Sequence, residues 1–157
     1  IIHSSKNLYK NNFKFPLTSL TMKINKKMVN TSYNYIKKKI RIKNFSKILI
    51  LGAAYKGDVG DDRLSPAYEL VDKLKKLNKN IFIHDPLIKK YNYKKYINNL
   101  EKFKCIIFCT NHQYYKKISF KNFSNKNVIV DLNNVLSTKQ FKQLRFKTNK
   151  IFTLGRS

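Results

Sequence analysis

The sequence predicts an α/β protein, a doubly wound and mostly parallel sheet preceded by a long helix. Three observations carry this expectation. Short apolar runs of strand type recur along the second two-thirds of the chain. Helical or polar stretches separate them with short connections, the alternation that lays strands parallel. Residues with chemical potential gather just behind the runs, where open α/β sheets bind their ligands.

Residues 1 to 21 are polar and read as irregular. From Met22 to Ile40 the apolar positions Met22, Val29, Tyr33, Ile36 and Ile40 recur at helical spacing, with Met28 alongside. Arg41 to Ser46 forms a basic connector, which divides the chain into an N-terminal segment, 1–46, and an α/β domain, 47–157. Lys47 to Leu51 reads as a strand buried on both faces. Ser65 is suited to cap a helix, with Pro66 at its first position and Glu69 in the first turn. Ala67, Leu70, Val71, Leu74 and Leu77 continue it as an apolar stripe, and Asn78 to Asn80 stop it. Ile81 to His84 is the second strand, ending at Asp85-Pro86. A helix is expected over Lys89 to Leu100, then a strand over Cys105 to Cys109. A polar helical stretch follows, then the strand Val128 to Val130 ending at Asp131, a helix from Thr138, and a last strand at Ile151 to Thr153.

Composition narrows the class. Against 34 basic residues stand only 8 acidic ones, a formal charge of +26. Such a charge points to nucleic acid or an anionic membrane. The lysines, however, are scattered and accompany many Asn, Ile, Tyr and Phe, the signature of A/T-rich codons. No zinc-finger spacing, RNA-recognition signature or basic zipper organises them. Nucleic acid is therefore disfavoured as a partner. No apolar run approaches the roughly 20 residues that cross a bilayer, and no secretory signal is visible. Cys105 and Cys109 lie four apart on one strand, too distant for a disulfide. No membrane partner and a reduced, cytoplasmic setting are expected. The chain opens Ile-Ile-His and its first methionine is Met22, so a fragment of a longer polypeptide is expected.

The stretch from Leu51 to Arg63, LGAAYKGDVGDDR, holds most of the chemistry. Gly52 and Gly57 have the GxxxxG spacing of a P-loop, yet Asp58-Val59 stands where Lys-Ser/Thr is required. No GxGxxG fingerprint occurs. Asp58, Asp61 and Asp62 lack a second ligand cluster, so no metal is expected; they read as turn caps that offset Lys56 and Arg63. His84 and His112 read as hydrogen-bonded structural residues, and Cys105 and Cys109 as core. No catalytic residue is expected. Arginine is scarce (Arg41, Arg63, Arg145 and Arg156), and Arg63 in this loop offers a planar fork suited to phosphate or carboxylate.

Residues 50 to 67, ILGAAYKGDVGDDRLSPA, closely resemble the entry to the C-terminal domain of the UDP-glucose/GDP-mannose dehydrogenase family. There a strand leads into G-x-[AS]-[FY]-K, an acidic loop, D-x-R-x-S-P and a helix. His84-Asp85-Pro86, Cys109-Thr110-Asn111-His112 and Asp131 to Leu136 keep the order and spacing, and Leu154-Gly155-Arg156 resembles the closing glycine turn. Ile24-Asn25 and the helix after them resemble the tail of the family's central dimerisation helix. The resemblance covers residues 20 to 156 and implies a Rossmann-like fold.

It implies, further, part of an enzyme that oxidises the C6 hydroxymethyl of a UDP-sugar to the uronate with two NAD⁺. The sugar would be glucose or an N-acetylhexosamine. The family's cysteine carries the aldehyde as a thiohemiacetal and then a thioester. Tyr55 and Lys56 would contact the nucleotide sugar, Arg63 would reach NAD, and the full-length protein would form a homodimer or higher homo-oligomer. Two departures stand out. Asn133 occupies the place where many members have a substrate-binding arginine, and the NAD fingerprint and nucleophilic cysteine segment are absent, so this chain is expected to be catalytically incomplete. The alternatives are a non-catalytic or decayed binding module, or a basic nucleic-acid-binding domain.

Overall fold

The computed structural model describes residues 16–155. Residues 1–15, most of the segment expected to be irregular, and Arg156 of the closing turn lie outside them.

Helix α1 runs Pro16–Lys39, starting six residues before the expected Met22. Proline suits a helix start, and no glycine or second proline interrupts the run. Its first turns carry Leu17, Leu20 and Ile24 at helical spacing, a short stripe that the structure leaves exposed and that the reading of residues 1 to 21 as polar and irregular passed over. Farther on, Val29, Ile36 and Ile40 are buried against the sheet and the next long helix. Tyr35 Oη donates to the Thr153 carbonyl at 2.7 Å, tying α1 to the last strand.

Strands β1 (Ile48–Leu51), β2 (Ile81–His84), β3 (Cys105–Phe108), β4 (Val128–Asp131) and β5 (Ile151–Thr153) form one parallel sheet in the order β2-β1-β3-β4-β5. Alternation sends Ile48 and Ile50 to a core shared with α1 and helix α2 (Pro66–Lys75). It sends Leu49 and Leu51 to a second core holding Ile106, Phe108, Tyr115, Phe120 and Leu144. Burial on both faces explains the uninterrupted apolar runs of the central strands.

Ser65 caps α2, its Oγ accepting from Ala67 N–H at 3.3 Å. Leu77, expected to extend the stripe of α2, lies beyond the helix and is exposed. Ser137 and Gln140 close a capping box on α4 (Thr138–Arg145). The single helix expected over 89–100 is instead three short pieces: a 3₁₀ turn at Lys89–Tyr91, α3 at Lys94–Ile97 and a 3₁₀ turn at Leu100–Lys102. Tyrosine and asparagine are weak helix formers, and Asn92 spends its side chain on the Pro86 carbonyl at 2.9 Å. The polar stretch after β3 is likewise a 3₁₀ segment, Gln113–Lys117.

From β1 the chain crosses to β2 on one side, and from β3 it proceeds to β4 and β5 on the other. The order reverses between β1 and β3, which opens a crevice above their carboxyl ends.

Candidate functional site

The loop after β1 lies directly on the loop after β3. Gly52 has φ 99°, and a β carbon there would stand 2.4 Å from Thr110 Cβ and 2.5 Å from its backbone nitrogen. A β carbon on Gly57 would stand 2.0 Å from the Asn111 carbonyl oxygen. The GxxxxG spacing thus serves loop-on-loop contact, and its frame is two close backbone approaches.

Asp85, at the end of β2, is fully buried and organises the rest. Its Oδ2 accepts from Ala53 N–H (2.7 Å), Ala54 N–H (2.9 Å) and His112 Nε2 (3.0 Å). Its Oδ1 accepts from Leu87 N–H (2.9 Å) and Ile88 N–H (3.2 Å). Burial pushes this carboxyl up, but the bonds from His112, Ala53, Leu87 and Ala54 outweigh it and hold the pKa at about 2. His112, also fully buried, accepts the Asp58 N–H on Nδ1 at 2.9 Å. That network assigns the ring proton to Nε2. Thr110 Oγ1 donates to the Ala54 carbonyl at 2.8 Å, and Asp58 Oδ1 accepts from Gln113 N–H at 2.9 Å.

Between these anchored positions Tyr55 and Lys56 stand exposed. Tyr55 overhangs a cavity of about 180 Å³ at the β1/β3 crevice. Val29 and Leu70 are among its apolar walls, Ser32, Thr110 and Asn133 supply polar groups, and Ser65 to Ala67 bring the amino end of α2 to its edge. Pro66 has no N–H, Ala67 N–H is taken by Ser65 Oγ and Tyr68 N–H by the Ser65 carbonyl, so the helix start offers the cavity the positive end of its dipole and no free donor at these three positions.

Arg63 stands apart. Its guanidinium is 85% exposed and grips Asp61, Nε to Oδ1 at 2.9 Å and a terminal nitrogen to Oδ2 at 2.8 Å. The Arg63 hydrogen bonds pull the Asp61 carboxyl down to about 2. The structure therefore brings Tyr55 to the cavity, leaves Lys56 exposed at the next position of the turn and outside the cavity lining, and leaves Arg63 exposed in the same loop. Asp61 offsets Arg63 as expected. Asp62 is held by Lys90 at 2.8 Å and by the Tyr68 hydroxyl, and Asp58 caps the turn at Gln113; none of the three ion pairs with Lys56.

The remaining candidates are structural. His84 is buried with Nδ1 3.2 Å from the Tyr115 hydroxyl, and burial drives its pKa down to about 4. Both cysteines are free thiols on the same core face. Cys105 is buried in the core, whereas Cys109 is half-buried and lines the cavity; burial raises the pKa of Cys105 strongly and of Cys109 to about 12, which favours the protonated thiol at both. Among the described residues no three metal-ligating side chains converge. Sequence reasoning missed the organising role of Asp85 and the contribution of α1 to the cavity; the signals for Asp85 were its place directly behind a strand and within the His84-Asp85-Pro86 motif of the resemblance.

Residues 49–138 match the model of the UDP-glucose/GDP-mannose dehydrogenase family, UDP binding domain. The chain is 30% identical over 112 residues to a UDP-N-acetyl-D-mannosamine dehydrogenase of Methanococcus vannielii, covering 64% of this chain and 26% of that protein. The Methanocaldococcus jannaschii enzyme of the same name is 30% identical over 128 residues, covering 75% and 29%. In fold the chain resembles the UDP-D-ManNAc dehydrogenase of Pyrococcus horikoshii, with TM-score 0.68 and 21% identity over 92% of this chain and 35% of that one. The chain thus spans about a third or less of the length of these relatives. With more than half of its residues matched to the family model, the chain belongs to the UDP-glucose/GDP-mannose dehydrogenase family, over that family's UDP binding domain.

Proposed function

We propose that this chain is the nucleotide-sugar-binding part of an NAD-dependent UDP-sugar 6-dehydrogenase, with a UDP-N-acetylhexosamine or UDP-glucose as substrate. The observation that carries the reading is the cavity at the β1/β3 crevice, overhung by Tyr55, with the amino end of α2 at its edge; Lys56 stands exposed at the adjoining position of the turn. The ring of Tyr55 offers a flat face and a hydroxyl to a nucleoside. Lys56 and the α2 start offer positive charge to the pyrophosphate. The names of the two curated relatives favour an N-acetylated hexosamine.

NAD would supply hydride acceptance. The 157 residues contain no GxGxxG cradle, so this chain contributes to that cofactor only through Arg63, whose exposed fork faces outward and fits a phosphate contact from a neighbouring domain. Segment 1–46 and unit 47–157 form the proposed organisation. Helix α1, with Met22, Ile24 and Met28 exposed, would pair copies into a homodimer or larger homo-oligomer. Among the described residues no helix is long and apolar enough to cross a membrane; a cytoplasmic setting is part of the proposal.

Calorimetric titration of the chain with UDP, UDP-N-acetylmannosamine and duplex DNA tests this reading. Saturable binding of both uridine nucleotides is expected. A folded chain without any such heat overturns the proposal. Steeply salt-dependent DNA binding, with no response to UDP, favours the nucleic-acid reading that the +26 charge suggests.

A further inference from the structure

We propose that His112 is the positioning residue of the Tyr55–Lys56 turn: one imidazole closes a buried clamp that holds the backbone on both sides of these two exposed side chains. The inference rests on the reading of Tyr55 and Lys56 as nucleotide-sugar contacts.

The backbone before the turn is held by Asp85 Oδ2, at 2.7 Å from Ala53 N and 2.9 Å from Ala54 N. The backbone after it is held by His112 Nδ1, at 2.9 Å from Asp58 N. The two holds are one unit, because His112 Nε2 lies 3.0 Å from the same Asp85 oxygen. Asp58 adopts φ 59°, a left-handed conformation that aspartate visits more readily than most side chains but still disfavours relative to the ordinary regions. The bond from its N–H to His112 and the one from Gln113 N–H to its carboxylate hold it there. The ring cannot swing away. Tyr115 packs edge-on against it with centroids 5.5 Å apart, and the Tyr115 hydroxyl is itself fixed to the His84 carbonyl at 2.9 Å.

Both ring nitrogens are committed to these bonds and the ring is fully buried, so His112 cannot touch a ligand. It acts through the turn. With the clamp closed, a ligand meets Tyr55 and Lys56 already placed and does not have to order them, which is how preorganisation raises affinity. Without it, the Asp58 N–H loses its acceptor, and the turn keeps only the bonds from Gln113 N–H to the Asp58 carboxylate and from Tyr55 N–H to the Asp61 carbonyl.

The two nitrogens have separable duties, and two substitutions divide them. His112→Asn places its amide oxygen near the Nδ1 position and can accept from Asp58, but does not reach Asp85. His112→Gln reaches Asp85 as a donor and leaves Asp58 without its partner. His112→Ala removes both. Amide hydrogen exchange of the ligand-free chain, together with UDP titration of the same samples, reads out both halves. Circular dichroism checks that each variant is folded.

In His112→Ala and His112→Gln, the Asp58 amide is expected to exchange at least about tenfold faster and the UDP dissociation constant to rise about tenfold, the scale of one buried hydrogen bond. His112→Asn is expected to restore both. Unchanged exchange at Asp58 in His112→Ala overturns the clamp, whatever UDP does. Faster exchange with unchanged UDP affinity overturns the positioning role. Failure of the unsubstituted chain to bind UDP, with Asp58 protected, instead removes the nucleotide reading and this role with it, while leaving the clamp as a structural fact. If His112→Ala does not fold, the Asn and Gln pair still decides: equal affinities for the two contradict the proposal.

Discussion

Gly57 passes Asn111 with no room for a side chain, since a β carbon at 57 would stand 2.0 Å from the Asn111 carbonyl oxygen. Backbone meets backbone there, so neither side can yield by a rotamer change. Gly57→Ala should push the Tyr55–Lys56 turn off the β3 loop. A destabilisation of about 2 kcal/mol is expected from such overpacking, with UDP affinity falling more than tenfold. Chemical denaturation and titration of the same variant measure both, and unaltered affinity would show that the turn takes no part in binding.

Acid should weaken the fold in two stages. Burial lowers the His84 pKa from 6.5 to about 4. The unfolded chain therefore takes up a proton first as pH falls below 6.5, and stability is lost down to about pH 4. Asp85 has its folded value lowered from 3.8 to about 2, so its contribution is present above pH 3.8 and disappears as pH falls through 2. The shifts correspond to about 3 and about 2 kcal/mol respectively. Urea denaturation at stepped pH values should show both stages, and His84→Phe should flatten the upper one. A stability that stays level between pH 7 and 4.5 would contradict the burial of a neutral His84.

Tyr55→Ala and Lys56→Ala should each weaken UDP binding about tenfold, by different routes. Loss of Lys56 removes a cation, so the salt dependence of binding should also diminish. Loss of Tyr55 removes a flat contact and should leave the salt dependence in place. Titrations at two ionic strengths separate the two.

Arg63 faces outward, held by Asp61. Arg63→Ala should therefore leave UDP binding by this chain within about twofold of the original, while impairing NAD-dependent turnover in the complete enzyme. A large loss of UDP affinity in the isolated chain would move Arg63 from the cofactor side to the nucleotide sugar.

The strands were legible because β1, β3 and β4 are buried on both faces, which leaves runs such as Ile48-Leu49-Ile50-Leu51 without polar interruption. The start of α2 was legible from Ser65-Pro66, a local capping signal. Helix α1 was read short because the apolar residues of its first turns, Leu17 and Leu20, stand among polar neighbours and face solvent. The span 89–100 carried enough apolar residues to read as one helix, yet Asn92 turns to Pro86 and Asn98 and Asn99 follow α3. At the site, Tyr55, Lys56 and Arg63 were visible in one contiguous string. The clamp was not, because its bonds join residues 27 and 54 positions apart, a pairing that only the folded sheet creates.

The most direct measurement of the central claim is residue-resolved: titration of the isotope-labelled chain with UDP, followed through backbone amide chemical shifts. Saturable shifts should concentrate at Ala54 to Gly57, Thr110, Leu132-Asn133 and Ala67, around the β1/β3 crevice. Absence of saturable shifts in the folded chain, or shifts gathered at the opposite end of the sheet around Arg41, Lys126 and Lys150, would contradict the assignment of this crevice to a uridine nucleotide.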